Sequence, residues 1–413
     1  MKKDYLNIAL FVLFLFVLGL LNLADNNKVS FSELENRALK EKPVMSLATL
    51  MSGEYFREFE DYFADNFFER EHMVALSRKF TKWRGLPTED EATIVTHHGA
   101  NVYQQQTKDD DLDKDLQVTG RVLVVQDRGM EIHTYDPEAG ALYAEIISEF
   151  AARVKPVRVY SMLVPTQIEF YNGGKYRKLS SVQLETIRQV NNYFIRGLVQ
   201  PVNVYDNLRV HCEEYIYFRT DHHWTALGAY YAYTAFMETQ GLEPVPLGDY
   251  QTGQADGFLG STYNTTLSDK LKENPDQVVY YKPLLPYEYQ VFYEGSQPVE
   301  QKLLELRYAE QANKYGIFLG GDNPWARIST GNMNNKKILV IKDSYGNAFV
   351  SFLLPHYQEI YVLDPRMFKG NVYALIQKNG ISEVLFLNYV LITDNKGFPE
   401  LLGKILEYEF DRK

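Results

Sequence analysis

From Arg121 onward the chain alternates short β-branched runs with amphipathic stretches, which restricts it to folds where strands and helices succeed one another. Arg121 to Val125 reads as a strand, and Pro137 to Val154 as a helix with Leu142, Ile146 and Phe150 on one face; Val157 to Leu163 is a second strand. A helix over Val182 to Leu198 and a short strand over Val202 to Tyr205 follow, then TDHHWT and a helix that Thr225 can cap. Units of this length predict an α/β fold, with a parallel sheet covered by helices on both faces. Residues 242–333 break the rhythm with stretches rich in Gly, Asn, Pro and Tyr, and read as a β-containing insertion with strands at Val278 to Tyr281 and Tyr289 to Tyr293. The alternation resumes with a strand over Lys337 to Ile341, a turn over Lys342 to Gly346 and a helix starting near Asn347. Strands over Glu359 to Leu363 and Glu383 to Leu387 complete it.

The chain thus divides into three expected parts: 1–25, 26–116 and a main domain over 117–413. In the first, Lys2 and Lys3 precede an uninterrupted apolar run from Ile8 to Leu21, enough for about one bilayer crossing. No clear small-x-small cleavage site follows, so the run is expected to be a retained transmembrane anchor rather than a cleaved signal peptide. With the lysines inside, the rest of the chain is expected outside the cytoplasm at the cell membrane. Residues 26–116 read as a helical stalk and linker. Phe56, Phe59, Phe63 and Phe67 recur at helical spacing with Glu58, Asp61 and Asp65 between them, and this acidic polar face favours docking on the protein's own core over a membrane surface. Gln104 to Asp115 reads as a solvated loop.

Composition narrows the partners. A net charge of -11 disfavours nucleic acid and anionic headgroups, both of which select for basic patches. Cys212 is the only cysteine, so neither an intrachain disulfide nor a cysteine-based metal site can form.

Two segments carry chemistry. KKILVIK running into DSYGNAFVSF places Ser344 at a strand-to-helix turn, where open α/β sheets bind ligands and where a helix start can favour a developing oxyanion. A serine there is also an ordinary N-cap. Asp221, His222, His223 and Trp224 change that balance, because an activated serine needs a base and the base needs an orienting carboxylate. In an extended segment residues two apart share a face, so Asp221 and His223 can converge while His222 points away. The expected catalytic set is therefore Ser344, His223 and Asp221. Adjacent histidines also suggest a metal site, but HExxH is absent, and His97 and His98 would have to arrive from a distant loop; neither metal nor cofactor is expected.

At these residues the chain resembles the bacterial DHHW-motif proteins: FRTDHHWTALGAYYAY is similar to their signature and KDSYGNAFVSFLLPHY to their serine block. The similarity runs from SELENR (Ser32 to Arg37) through LDPRMF (Leu363 to Phe368). It implies kinship with the alginate O-acetylation proteins of the SGNH hydrolase-like superfamily and a flavodoxin-like α/β/α domain. In that order the Asp-x-His-Trp element precedes the serine block, the reverse of GDS-type hydrolases. The resemblance implies acyl transfer to or from hydroxyls of an exported polysaccharide or cell-wall polymer, with a membrane-bound acyltransferase as acetyl donor. The alternatives are a carbohydrate esterase and a non-catalytic polysaccharide-binding scaffold. Lys342 stands where the GDS pattern has glycine, and Asn347 and Arg366 are candidate oxyanion donors.

Overall fold

In the computed structural model, described residues are 11–13, 16–17, 19–22, 31–32, 37–38, 40, 42–51, 53–70, 73, 117–119, 121–171 and 177–408. The chain separates into two compact units, Met1–Ala92 and Thr93–Lys413. The expected anchor falls largely outside the described residues, as do His97, His98 and the loop over 104–115; among the described residues no helix is long and apolar enough to cross a membrane. The first unit contains a short hairpin of β1 (Phe31–Ser32) and β2 (Arg37–Ala38) and the helix Glu54–Asp65. Phe56, Phe59 and Phe63 lie on the exposed face of that helix.

The second unit opens with an antiparallel meander of β3 (Gln117–Thr119), β4 (Val122–Val125) and β5 (Arg128–Glu131). The principal sheet then takes in β6 (Arg158–Val164) and β7 (Val199–Pro201). The insertion contributes the hairpin of β8 (Thr252–Phe258) and β9 (Asp276–Tyr281), and the strands β10 (Tyr287–Phe292), β11 (Val299–Gln301) and β12 (Trp325–Thr330). The last strands are β13 (Lys337–Lys342), β14 (Glu359–Leu363) and β15 (Glu383–Tyr389). Eight strands form one sheet in the order β11-β10-β12-β14-β13-β15-β6-β7.

Strands β14, β13, β15, β6 and β7 are mutually parallel, while β12, β10 and β11 extend the sheet antiparallel. The wholly parallel sheet expected from the alternation is therefore corrected to a mixed one. The reason lies in the insertion: β10 turns straight back into β11 through residues 293–298, too few for the crossover that parallel pairing requires, and β12 joins both β10 and β14 antiparallel. A second correction concerns Val202 to Tyr205, which is not a strand. Pro201 ends β7, and the Asn203 side chain caps a helix over Val204–Val210.

The central strands are apolar on both faces. Ile338, Val340, Ile360, Val362, Leu385 and Leu387 join one core, with Ala229, Ala232 and Phe236 of the helix Ala226–Gln240. Leu339, Ile341, Tyr361, Leu363, Val384 and Phe386 join the other, with Ile146, Ile147 and Phe150 of the helix Pro137–Arg153 and Leu402 of the helix Gly397–Ile405. Two-sided burial explains why these strands read as continuous apolar runs.

The helix Ala226–Gln240 is built to follow the DHHW segment directly. The Thr225 hydroxyl accepts from Gly228 N–H and donates to the Tyr215 carbonyl at 2.7 Å, and Gly241 closes the helix at φ 69°. Thr225→Ala is expected to destabilise the domain by about 1 kcal/mol or more, read as a lower denaturant midpoint at unchanged slope. A midpoint equal to that of the parent would show that the cap contributes nothing.

Candidate active site

The DHHW segment is a loop closed on itself rather than part of a helix. Tyr217 bridges Trp224, Phe218 N–H donates to the His223 carbonyl, and Thr225 N–H donates to the Ile216 carbonyl. Its tip is held from outside by buried Asp276 at the start of β9. One Asp276 oxygen accepts from Arg219 N–H and the Tyr215 hydroxyl, and the other from both donors of Thr220, at 2.7 and 2.6 Å. The Trp224 indole N–H reaches the Tyr345 carbonyl at 2.9 Å, which ties this loop to the turn carrying Ser344.

That turn follows β13, at the C-terminal ends of the parallel strands. His223 Nε2 lies 2.7 Å from Ser344 Oγ, and His223 Nδ1 lies 2.5 Å from Asp221 Oδ1. Asp221 and His223 are buried and Ser344 is partly open. Asp221 Oδ1 also accepts from His223 N–H at 2.9 Å, and Oδ2 from Ser261 N–H at 2.8 Å. Burial opposes ionisation of Asp221, but His223, His222 and these donors outweigh it and hold the carboxyl well below the usual carboxylate range. An ionised carboxylate only accepts, so Nδ1 carries the imidazole proton and Nε2 is left as acceptor for the Ser344 hydroxyl. Burial, reinforced by His222, pushes His223 down to about 4 against the pull of Asp221, so the ring is neutral near pH 7.

His222 turns away from this chain of bonds, its Nδ1 lying 2.6 Å from Ser261 Oγ. Asp221, His222 and His223 have ligand atoms within 4.8 Å of one another, as a metal site needs. However, His223 Nδ1 and Asp221 Oδ1 are bonded to each other, and His223 Nε2 and His222 Nδ1 face serine hydroxyls. The set is occupied by its own hydrogen bonds.

The side chains of Asn347 and Arg366 make no hydrogen bond with Ser344; Asn347 meets it only through its backbone N–H, which donates to the Ser344 carbonyl at 3.2 Å. Asn347 Nδ2 donates to Asp322 Oδ1 at 3.0 Å, and Arg366 donates to Asp364 and Asp322. Both serve an ionic network around buried Lys342, whose Nζ lies 2.8 Å from Asp322 Oδ1 and 3.4 Å from Asp364 Oδ2. Burial opposes the Asp322 charge, but Lys342 and Arg366 keep it ionised. The helix expected after Ser344 is a single turn, Gly346–Phe349, continued as a 3-10 segment over Val350–Leu353. On the far side of the strand end, burial pushes Asp343 up to about 6, although it accepts from Tyr345 and Tyr389 N–H. Asp343, Arg366, Tyr389, Leu391, Ile392, Asn395 and Phe398 line a cavity of about 180 Å³.

Sequence reasoning missed Asp276, Ser261 and Tyr315; the Tyr315 ring stacks on His223 with centroids 3.8 Å apart. It also missed Gly260, where a Cβ would overlap the Asp221 side chain. Gly260→Ala is therefore expected to displace Asp221 and shift the His223 ring signals in an NMR spectrum, while circular dichroism stays that of the parent. Unmoved His223 signals would show that the loop absorbs the methyl.

A profile of the family described as DHHW protein matches residues 89–363. Among solved structures, a DHHW family protein from Eubacterium siraeum DSM 15702 is 33% identical with a TM-score of 0.60, covering 68% of this chain and 94% of that one. PatB1 from Bacillus cereus is 22% identical with a TM-score of 0.57, covering 68% and 98%. The same protein with a sulfonyl adduct is 20% identical with a TM-score of 0.54, covering 65% and 93%. No curated protein matches. With two thirds of its length inside the family profile and a solved member at this identity, the chain belongs to the DHHW protein family.

Proposed function

We propose that this protein is an acyl-transfer enzyme of SGNH hydrolase-like type on a flavodoxin-like α/β/α domain. One observation carries the reading: the unbroken run of hydrogen bonds from Ser344 Oγ through a neutral His223 to an ionised Asp221. His223 Nε2 takes the Ser344 proton as Oγ attacks the acyl carbonyl, and Asp221 stabilises the imidazolium that forms. His223 then returns the proton to the departing group, leaving an acyl-serine. An incoming hydroxyl, deprotonated by the same nitrogen, attacks the acyl carbon, and as the bond to Oγ breaks the imidazolium returns that proton to Ser344. The turn leaves Ser344 N–H to meet the oxyanion, since the Tyr345, Gly346 and Asn347 amides already donate to Asp343 Oδ1, the Asp343 carbonyl and the Ser344 carbonyl.

The acceptor in this reading is a hydroxyl of an exported polysaccharide or cell-wall polymer, met outside the cytoplasm, with a membrane-bound acyltransferase supplying acetyl groups. Its support is the family resemblance of the two motifs. With water as acceptor the same residues would act as an esterase, which product analysis with and without a sugar acceptor separates.

A sulfonyl adduct on PatB1 makes a sulfonyl fluoride the natural probe. The parent is expected to gain one sulfonyl group on the peptide holding Ser344, by mass spectrometry. Ser344→Ala should gain none there and lose about a thousandfold or more in hydrolysis of a chromogenic acetyl ester. If the alanine variant, folded by circular dichroism, keeps its full rate, Ser344 is structural and the reading fails.

The pH dependence follows from His223, which serves as base only when neutral and is held at about 4. Ester kcat/KM is expected to be level from about pH 7 to about pH 5, then to fall about tenfold per unit below about pH 4. A fall centred near the ordinary histidine value would show that burial does not hold the ring in its neutral form.

A further inference from the structure

One side chain of the insertion touches both His223 and the backbone of Ser344. Tyr315, in the 3-10 turn Lys314–Ile317 of the insertion, is buried and lies flat on His223, with ring centroids 3.8 Å apart and planes within 8°. Its hydroxyl donates to the Ser344 carbonyl at 3.0 Å. The ring is itself confined by edge contacts with Phe218 at 6.2 Å and Phe318 at 5.3 Å. One tyrosine therefore touches the imidazole with its face and the serine backbone with its edge.

We infer that Tyr315 is a positioning residue for His223, its ring plane holding the imidazole so that Nε2 stays directed at Ser344 Oγ. The inference rests on the acyl-transfer reading. The need for such a plane is geometric. Asp221 grips the imidazole along one edge, so tilt about that axis is limited only by neighbouring rings. Of those that touch it among the described residues, His222 lies 37° and Tyr345 49° from its plane, while Tyr315 lies parallel. Tilting moves Nε2, the atom farthest from the grip, off the line to Ser344 Oγ. A flat neighbour at van der Waals distance removes this freedom without competing for either nitrogen. It also offers a π face to the imidazolium formed in the reaction, where a cation is attracted. A small misplacement of a reacting group costs up to about 100-fold in rate, so the constraint has kinetic consequences.

The test compares Tyr315→Leu, which removes the flat face, with Tyr315→Phe, which keeps it. Each is made in the full chain, selectively labelled at histidine. Tyr315→Leu is expected to lower kcat for the chromogenic ester at least about tenfold with KM within about twofold, a split that general loosening of the fold would not give. The His223 Cε1–H proton, shielded by the stacked ring, should move downfield in the leucine variant. Tyr315→Phe should restore most of the rate and the shielding. If the leucine variant does not fold, Tyr315→Met, also without a planar face, gives the same comparison. Parental kcat and an unmoved His223 signal in the leucine variant would overturn the assignment, as would a phenylalanine variant as slow as the leucine one. If Ser344 takes no sulfonyl group even in the parent, the acyl-transfer reading has failed, and the His223 signal alone decides whether Tyr315 orients the imidazole.

Discussion

A negative charge kept out of water organises this site. Asp221 is ionised and buried, so each of its lone pairs must find a donor, and the local architecture follows from where those donors come from. His223 supplies two, its own amide and Nδ1–H, which dictates a loop rather than a helix, because residues two apart on a helix do not face each other. The third comes from Ser261 N–H, which brings a second loop so close that position 260 has no room for a side chain. The tautomer of His223, and with it the acceptor offered to Ser344, is then a consequence of the carboxylate's need rather than an independent feature.

The insertion over 242–333 is part of that architecture and not an appendage. It continues the principal sheet through β10, β11 and β12, pins the DHHW loop through Asp276, supplies Ser261 to Asp221, and stacks Tyr315 on His223. Asp322, from the same stretch, meets Lys342, two residues before Ser344. The irregular composition of this segment marks loops that close over the strand ends, where the ligands of an open α/β sheet bind.

Much of the frame was legible because it is written locally. Runs such as Ile338 to Ile341 announce two-sided strands, and the cap at Thr225 and the spacing of Asp221 to His223 are visible within a few residues. Other features were not, for a common reason. Asp276, Ser261 and Tyr315 act on residues 29 to 56 positions away, as their bonds to Ser344, His222 and Thr220 record, and no periodicity announces such contacts. Asn347 and Arg366 looked like free donors because their shared partner Asp322, 25 and 44 positions away, becomes a neighbour only once the strand ends are assembled. The parallel sheet was over-extended because local alternation does not reveal on which edge, or in which direction, an inserted strand will add.

The two-sided burial of β13 has a consequence for how Ser344 finds its place. In a strand with one wet face, a slip of one residue is punished at once, since every apolar side chain would turn to solvent. Here Ile338 through Ile341 are apolar and buried on both faces, so sliding by one position would exchange one aliphatic side chain for another at little hydrophobic cost. The end of the strand lacks that tolerance. Lys342 must meet Asp322 and Asp364 on one face, and Asp343 must meet the Tyr389 amide on the other. The charged pair thus acts as an index mark, fixing the phase of an otherwise featureless strand and delivering the hydroxyl of the next residue to the imidazole waiting for it.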